Sequence, residues 1–362
     1  MDLNRRRLLG IVKNRALCGP RYLSLCLNNY CNDQCLYCAT HSPLADRAGF
    51  KAAGMDFRLA KKLVDQAAAW GSREVLLTGL GEPTLHPDFE KIAAYVKRKK
   101  LVCTLTTNAL FGKKLLPAVA AVDNVVVNLS AAEECLYTRL QSPRDKTAFM
   151  RALVNIFSLV RLKKDNGPPY VTLVFILNSL NYKSVPRMLA LADKLGVYKL
   201  LFRFMEHTER TEKLLLSRRQ ERELLAIVKR EIEAYRGVPD NLELIRAALV
   251  DFDGVYNISS CYAGWFVVEA DFAGSARICT EKMFIGDLKK DTLRNIWQSP
   301  EAQKMRLRLK DDFKRDKPLW GPVCRLCCWR DLNLSIESAL KQPGGRGLAQ
   351  AFPGDIPVKP KR

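Results

Sequence analysis

The chain has 362 residues, 48% of them apolar and 27% charged, enough for one large core or two moderate ones and unlike a disordered chain. No apolar run approaches the ~18 residues of a membrane span, which excludes a transmembrane protein. Lys+Arg of 59 against Asp+Glu of 38 leave a net charge of +21, which suits an acidic substrate or partner, or a solvated basic surface.

Residues 1–20 read as a basic lead-in. Arg5-Arg6-Arg7 has a twin-arginine look, but the apolar stretch Leu8 to Val12 stops at Lys13, too short for export, so the segment is expected to pack on the body or touch a membrane surface. From Arg21 onward, apolar strands at Tyr22–Leu27, Glu74–Thr78, Val102–Thr106, Asn124–Leu129, Tyr170–Leu177 and Lys199–Phe204 alternate with helices of 3.6 periodicity. The pattern predicts an α/β fold over residues 21–210, a partial (β/α)6 TIM-like barrel with chemistry at the C-terminal strand ends. Residues 211–259 read as a charged helical connector. Residues 260–332 read as a small α+β cysteine-rich domain with strands Trp265–Glu269 and Ala276–Cys279 and one helix from Leu293 to Leu309. The remainder, 333–362, reads as a flexible tail, being rich in Pro, Gly, Lys and Arg from Gln342 on.

Twelve cysteines against three histidines, with no secretory signal, favour metal over disulfides and a cytoplasmic location. Directly after the first strand stands Cys31-Asn32-Asp33-Gln34-Cys35-Leu36-Tyr37-Cys38, three thiolates in eight residues. A cubane [4Fe–4S] cluster held by Cys31, Cys35 and Cys38 keeps one iron open for a ligand; a zinc site completed by His41 is the alternative.

This triplet, with Tyr37 before its last cysteine, resembles the cluster loop of the radical S-adenosylmethionine (SAM) superfamily, whose fold is the partial barrel. Thr78-Gly79-Leu80-Gly81-Glu82-Pro83 is similar to the Gly-Gly-Glu-Pro segment that holds the SAM amino group. The glycines admit a close backbone approach, and Glu82 offers an anion to the ammonium. Asn128-Leu129-Ser130 is similar to the ribose-binding segment, although Ala131 and Ala132 stand where the family often has an acid. Arg139 is a candidate partner for the SAM carboxylate. Asn178 and Asn181 resemble positions near the cofactor or are plain caps. The resemblance implies reductive cleavage of SAM, hydrogen abstraction by a 5′-deoxyadenosyl radical, and an electron donor such as flavodoxin or ferredoxin.

A second group, Cys261, Cys279, Cys324 and Cys327, looks like the auxiliary-cluster set of the SPASM/twitch domain and implies an auxiliary [4Fe–4S] cluster. Cys328 competes with Cys327 as ligand, and four cysteines also suit a structural zinc. Cys18, Cys26, Cys103 and Cys135 are expected to be buried thiols, His86 and His207 structural. Substrate contacts are expected from Arg203–His207, which includes Glu206, and from Asp251–Asn257, which includes Asp253.

The leading expectation is an oxidoreductase for a small hydroxylated or phosphorylated metabolite. The alternatives are a peptide or protein maturase and a nucleic-acid-modifying enzyme. The basic stretches Lys97–Lys100 and Lys304–Arg315 come without any zinc-finger, RNP or helix-turn-helix pattern, so nucleic acid is the least favoured partner.

Overall fold

The computed structural model describes residues 2–44, 49–141, 145–163, 167–205, 210–250, 260–279, 283–312 and 329–341. Six parallel strands, β1 (Tyr22–Cys26), β2 (Glu74–Thr78), β3 (Val102–Thr107), β4 (Asn124–Asn128), β5 (Tyr170–Leu177) and β6 (Lys199–Phe204), lie side by side in chain order. Each crossover is helical: α1 (Leu3–Val12) precedes the sheet, then come α2 (Phe57–Ala69), α3 (Phe89–Arg98), α4 (Leu116–Ala120), α5 (Glu134–Leu140), α6 (Ala148–Arg161) and α7 (Val185–Leu195). The expected partial barrel is there, with strand limits within a residue of those read from the apolar runs.

Alternation along the strands separates the two sheet faces. Val75, Leu77, Leu105, Val125, Val127, Leu173, Phe175 and Phe202 are fully buried beneath helices that contribute Leu63, Ile92, Val96, Ile156 and Met188. The inner face carries a polar row beside apolar residues such as Leu76 and Val126: Thr104 Oγ1 donates to Glu74 Oε1 at 2.5 Å, and Asn124 Nδ2 donates to Thr104 Oγ1 at 2.8 Å. Local chemistry ends the helices where the sequence suggests. Asp56 caps α2 through the backbone N–H of Arg58 (2.6 Å), and α7 stops at Gly196, whose φ of +67° suits a residue without Cβ.

The connector contains α8 (Arg218–Ala234), opened by a Ser217/Gln220 capping box, and α9 (Leu242–Val250). Just before α9 the chain covers the free edge of β6. Leu200 N donates to Pro239 O at 2.9 Å, while Asn241 trades hydrogen bonds with the backbone of Phe202.

The cysteine-rich segment is less separate than expected. Its first strand, β7 (Val267–Ala270), pairs parallel with β1, and β8 (Ser275–Arg277) and β9 (Phe284–Asp287) follow antiparallel, giving one nine-stranded sheet ordered β6-β5-β4-β3-β2-β1-β7-β8-β9. The single helix expected over Leu293–Leu309 is two, α10 (Leu293–Gln298) and α11 (Pro300–Asp312), because Pro300 cannot continue the first. Arg306 of α11 is fully buried; it donates to Gly264 O (2.7 Å) and Trp297 O (2.6 Å) and lies over the Trp297 ring at 4.3 Å.

Of the two chain ends, one departs from expectation and the other follows it. Residues 330–341, expected in part to be flexible tail, form α12 (Arg330–Lys341), whose Ile336 and Ala339 are buried with Leu8, Ile11, Tyr262, Trp265 and Phe266. The lead-in packs on the body as α1. Its Arg7 is buried, donating to Gly19 O (3.0 Å), Pro20 O (3.2 Å) and Gly71 O (2.7 Å), and burial lowers the guanidinium pKa to about 10. No helix among the described residues is long and apolar enough to cross a membrane.

Candidate active site

Beyond β1 the chain enters the loop of Cys31, Cys35 and Cys38, three free thiols, each half-buried. Backbone N–H groups already point at two of the sulfurs, Asp33 N at Cys31 Sγ (3.4 Å) and His41 N at Cys38 Sγ (3.2 Å). The loop leans on the last turn of α5 through Gln34 N to Gln141 O (3.3 Å) and Leu36 N to Leu140 O (2.8 Å). Burial pushes the Cys31 thiol up to about 12 and Cys35 well above its ordinary value, so neither ionises without a cation beside it. Desolvated thiols that receive N–H donors fit an iron–sulfur cluster, whose potential such hydrogen bonds tune. Among the described residues no three His, Cys, Asp or Glu side chains converge on a single-ion site, and the ring of His41 sits edge-on to Phe50 at 5.9 Å.

The loop after β2 is pressed against this one. A Cβ at Gly81 would lie 1.9 Å from Tyr30 O, so only glycine permits the approach, and Gly81 N to Asn28 O (3.1 Å) and Glu82 N to Tyr30 O (2.9 Å) seal it. A Cβ at Gly79 would lie 2.9 Å from Gly81 O and 3.0 Å from Asn28 O. Glu82, expected to face the SAM ammonium, is buried, and both carboxylate oxygens accept hydrogen bonds from the protein. Oε1 accepts from Thr84 N (3.1 Å), Thr84 Oγ1 (2.7 Å) and Thr107 Oγ1 (2.7 Å), and Oε2 from Asn108 N (2.8 Å). Burial nevertheless holds its pKa above the usual carboxylate range.

Ser130 and Tyr37 meet as well. Ser130 Oγ accepts from Tyr37 Oη at 2.9 Å and from Ile176 N at 3.0 Å, so this hydroxyl fastens the cysteine loop to β4 and β5. Asn178 and Asn181 are both fully buried; Asn181 stands at the N-cap position of the short turn Tyr182–Ser184, but its side chain makes no cap bond and its Nδ2 donates instead to Ser130 O (2.9 Å). Arg139 is exposed near the end of α5, next to the loop, and makes no ion pair among the described residues. His86 is structural as expected, with Nδ1 accepting from Asp88 N (3.1 Å) and Nε2 therefore donating to Met55 O (2.9 Å). Cys18, Cys26 and Cys103 are buried as expected, but Cys135 is exposed, because the first turn of the short α5 turns it outward.

In the second cysteine group, Cys261 is buried and Cys279 half-buried. Both belong to one end of the β7–β8 hairpin, where a Cβ on Gly264 would lie 3.4 Å from Ile278. Cys324, Cys327 and Cys328 lie outside the described residues, as do Glu206, His207, Asp251–Asn257 and Asp253. Of the proposed set, Cys261 and Cys279 are the two described, one before β7 and one after β8.

Sequence reasoning overlooked two asparagines at strand ends. Asn28 is fully buried and its Nδ2 donates to Glu82 O at 2.9 Å. Asn108 links Glu82 to the cysteine loop, its Nδ2 donating to Asn32 Oδ1 at 2.9 Å and reaching Cys31 Sγ at 3.9 Å. The available signal was Thr106-Thr107-Asn108, a polar run at the C-terminal end of a buried strand, where a solvent-facing residue would be of no use.

The family model described as the radical SAM superfamily matches residues 25–192, and that of the SPASM iron–sulfur cluster-binding domain matches residues 261–329. Over 180 residues the chain is 28% identical to the PqqA peptide cyclase of Gluconobacter oxydans (strain 621H), covering 49% of this chain and 47% of that protein. It therefore spans about half the length of that relative. The PqqA peptide cyclase of Granulibacter bethesdensis (strain ATCC BAA-1260 / CGDNIH1) is 24% identical over 348 residues, covering 92% of this chain and 84% of its own length. Among solved structures, Streptococcus suis SuiB bound to S-adenosylmethionine superposes with a TM-score of 0.65 at 16% identity, covering 92% of this chain and 78% of that one, a likeness of fold.

Proposed function

Because the chain belongs to the radical SAM superfamily and carries a C-terminal SPASM domain, and so uses [4Fe–4S] clusters and SAM, we propose that it is a peptide maturase acting by hydrogen abstraction. The observation that carries the choice of peptide is the alignment with the Granulibacter PqqA peptide cyclase, which runs over nearly the whole chain. This moves weight from the small metabolite expected first to the alternative.

When bound, SAM and the reduced cluster supply homolytic C–S cleavage and removal of a substrate hydrogen atom. In this reading Cys31, Cys35 and Cys38 hold that cluster, and the backbone of Gly79 to Gly81 lines the SAM site, brought there by the close approach to Tyr30. Glu82 sets the relative position of the β2, β3 and cysteine loops, while Ser130 and Tyr37 fix the loop's far side. Arg139, exposed and without an ion pair among the described residues, supplies a guanidinium for a carboxylate. Cys261, Cys279, Cys324 and Cys327 hold the auxiliary cluster.

Two experiments test the reading. Anaerobically reconstituted protein should bind about eight irons, and a Cys31→Ala/Cys35→Ala/Cys38→Ala variant about four. A deuterated cell extract is then split into peptides and small metabolites, and each fraction is incubated with reduced protein and SAM. Deuterium in the released 5′-deoxyadenosine should come from the peptide fraction; label from the metabolite fraction alone would restore the small-molecule reading.

A further inference from the structure

Asn333 lies in the second turn of α12, in the stretch expected from sequence to be flexible tail. Only 1% of it is exposed. Its carboxamide straddles the peptide that follows Cys261: Oδ1 accepts from Tyr262 N at 2.7 Å, and Nδ2 reaches Cys261 Sγ at 3.8 Å. The first bond fixes the orientation of the amide. Flipping it would set an NH2 against the Tyr262 N–H and an oxygen against the sulfur, two repulsive contacts in place of two attractive ones. Its position is secured on several sides. Asn333 N donates to Trp329 O (3.0 Å), the Trp329 ring meets Tyr22 of β1 at 5.6 Å, and Ile336 and Ala339 anchor α12 in the core shared with Tyr262 and Trp265.

We infer that Asn333 is a positioning residue for the auxiliary iron–sulfur cluster, donating a hydrogen bond to the Cys261 thiolate and thereby raising the cluster's reduction potential. The inference rests on the reading of Cys261 as a cluster ligand. A donor aimed at a ligand sulfur withdraws charge from it and stabilises the reduced, more negative state, and in a desolvated setting the effect is not screened by water. An asparagine that merely bonds Tyr262 N would leave the potential alone.

The test uses the full chain with Cys31, Cys35 and Cys38 changed to Ala, so that only the auxiliary cluster remains, and follows the reduced cluster by paramagnetic resonance during a redox titration. Asn333→Leu, which removes the donor, should lower the midpoint potential. Asn333→Asp, which keeps the acceptor for Tyr262 N but puts negative charge at the sulfur, should lower it further. Midpoints equal to the parent's, with iron retained, would overturn the role of Asn333. A parent without iron would overturn the ligand reading together with it. Should the variants lose their cluster, the parent labelled with 15N in asparagine decides: a hyperfine coupling to the reduced cluster supports the contact, and no coupling overturns it.

Discussion

Gly81→Ala is the most searching single change at the site. The added Cβ would lie 1.9, 2.4 and 2.5 Å from the O, C and N atoms of Tyr30, backbone that no rotamer change can move aside. Either the β2 loop or the cysteine loop must swing away, which breaks Gly81 N to Asn28 O and Glu82 N to Tyr30 O. Overpacking of this kind costs about 1–3 kcal/mol, and two backbone hydrogen bonds add roughly 1 kcal/mol each. The sum, about 3–5 kcal/mol, corresponds to a fall of roughly 6–15 °C in the thermal midpoint of the apo protein at ~2–3 °C per kcal/mol for a chain of this size. Gly112→Ala is the control, since its Cβ meets nothing within 4 Å, and it should stay within about 0.5 kcal/mol of wild type. Scanning calorimetry of apo proteins and iron uptake on reconstitution read the two effects separately. If Gly81→Ala melts with the Gly112 control and takes up as much iron as wild type, the argument that the two loops are packed backbone to backbone is refuted.

Glu82→Gln puts an NH2 among four donors and should destabilise by about 1–3 kcal/mol in urea titrations. Because burial raises the Glu82 pKa in the folded chain, its contribution is complete below the unfolded value and declines as pH rises through the folded one. Glu82→Gln should therefore flatten the pH dependence of the urea midpoint just above the ordinary carboxylate range, and an unchanged slope would contradict the burial argument. Arg7→Ala abandons three carbonyls and should cost about 2–4 kcal/mol, with Arg7→Lys rescuing little because a point ammonium cannot span all three. Tyr37→Phe removes one hydrogen bond to Ser130 and should lower stability by only about 1 kcal/mol while iron content stays at the wild-type level.

The barrel was legible because buried parallel strands are continuous apolar runs, and five-residue runs such as Glu74–Thr78 admit little choice of limits. The cysteine triplet was legible because no packing requirement places three thiols in eight residues. What the sequence hid is the direction of polar side chains. Glu82 and Ser130 stand where a ligand contact is expected, and each also braces one loop against another, a role that for Glu82 depends on Thr107, 25 residues away in the chain. The pairing of β7 with β1 was equally invisible, since parallel neighbours 245 residues apart leave no local pattern. The helix at 330–341 was passed over because composition further along dominated the reading of the tail, although Leu332, Ile336 and Ala339 have helical spacing.

The nine-stranded sheet has a consequence for how this chain can be divided. At its far side, β6 is shielded by Pro239 and Asn241, but β1 has no such cover of its own: its second edge is closed by β7. A fragment ending near residue 210, the limit drawn from sequence, would leave Tyr22–Cys26 as a bare, almost wholly apolar rim with unanswered N–H and C=O groups, a template for stacking one copy on the next. The radical SAM barrel in this protein is thus an incomplete piece of masonry, and the SPASM segment is its missing course.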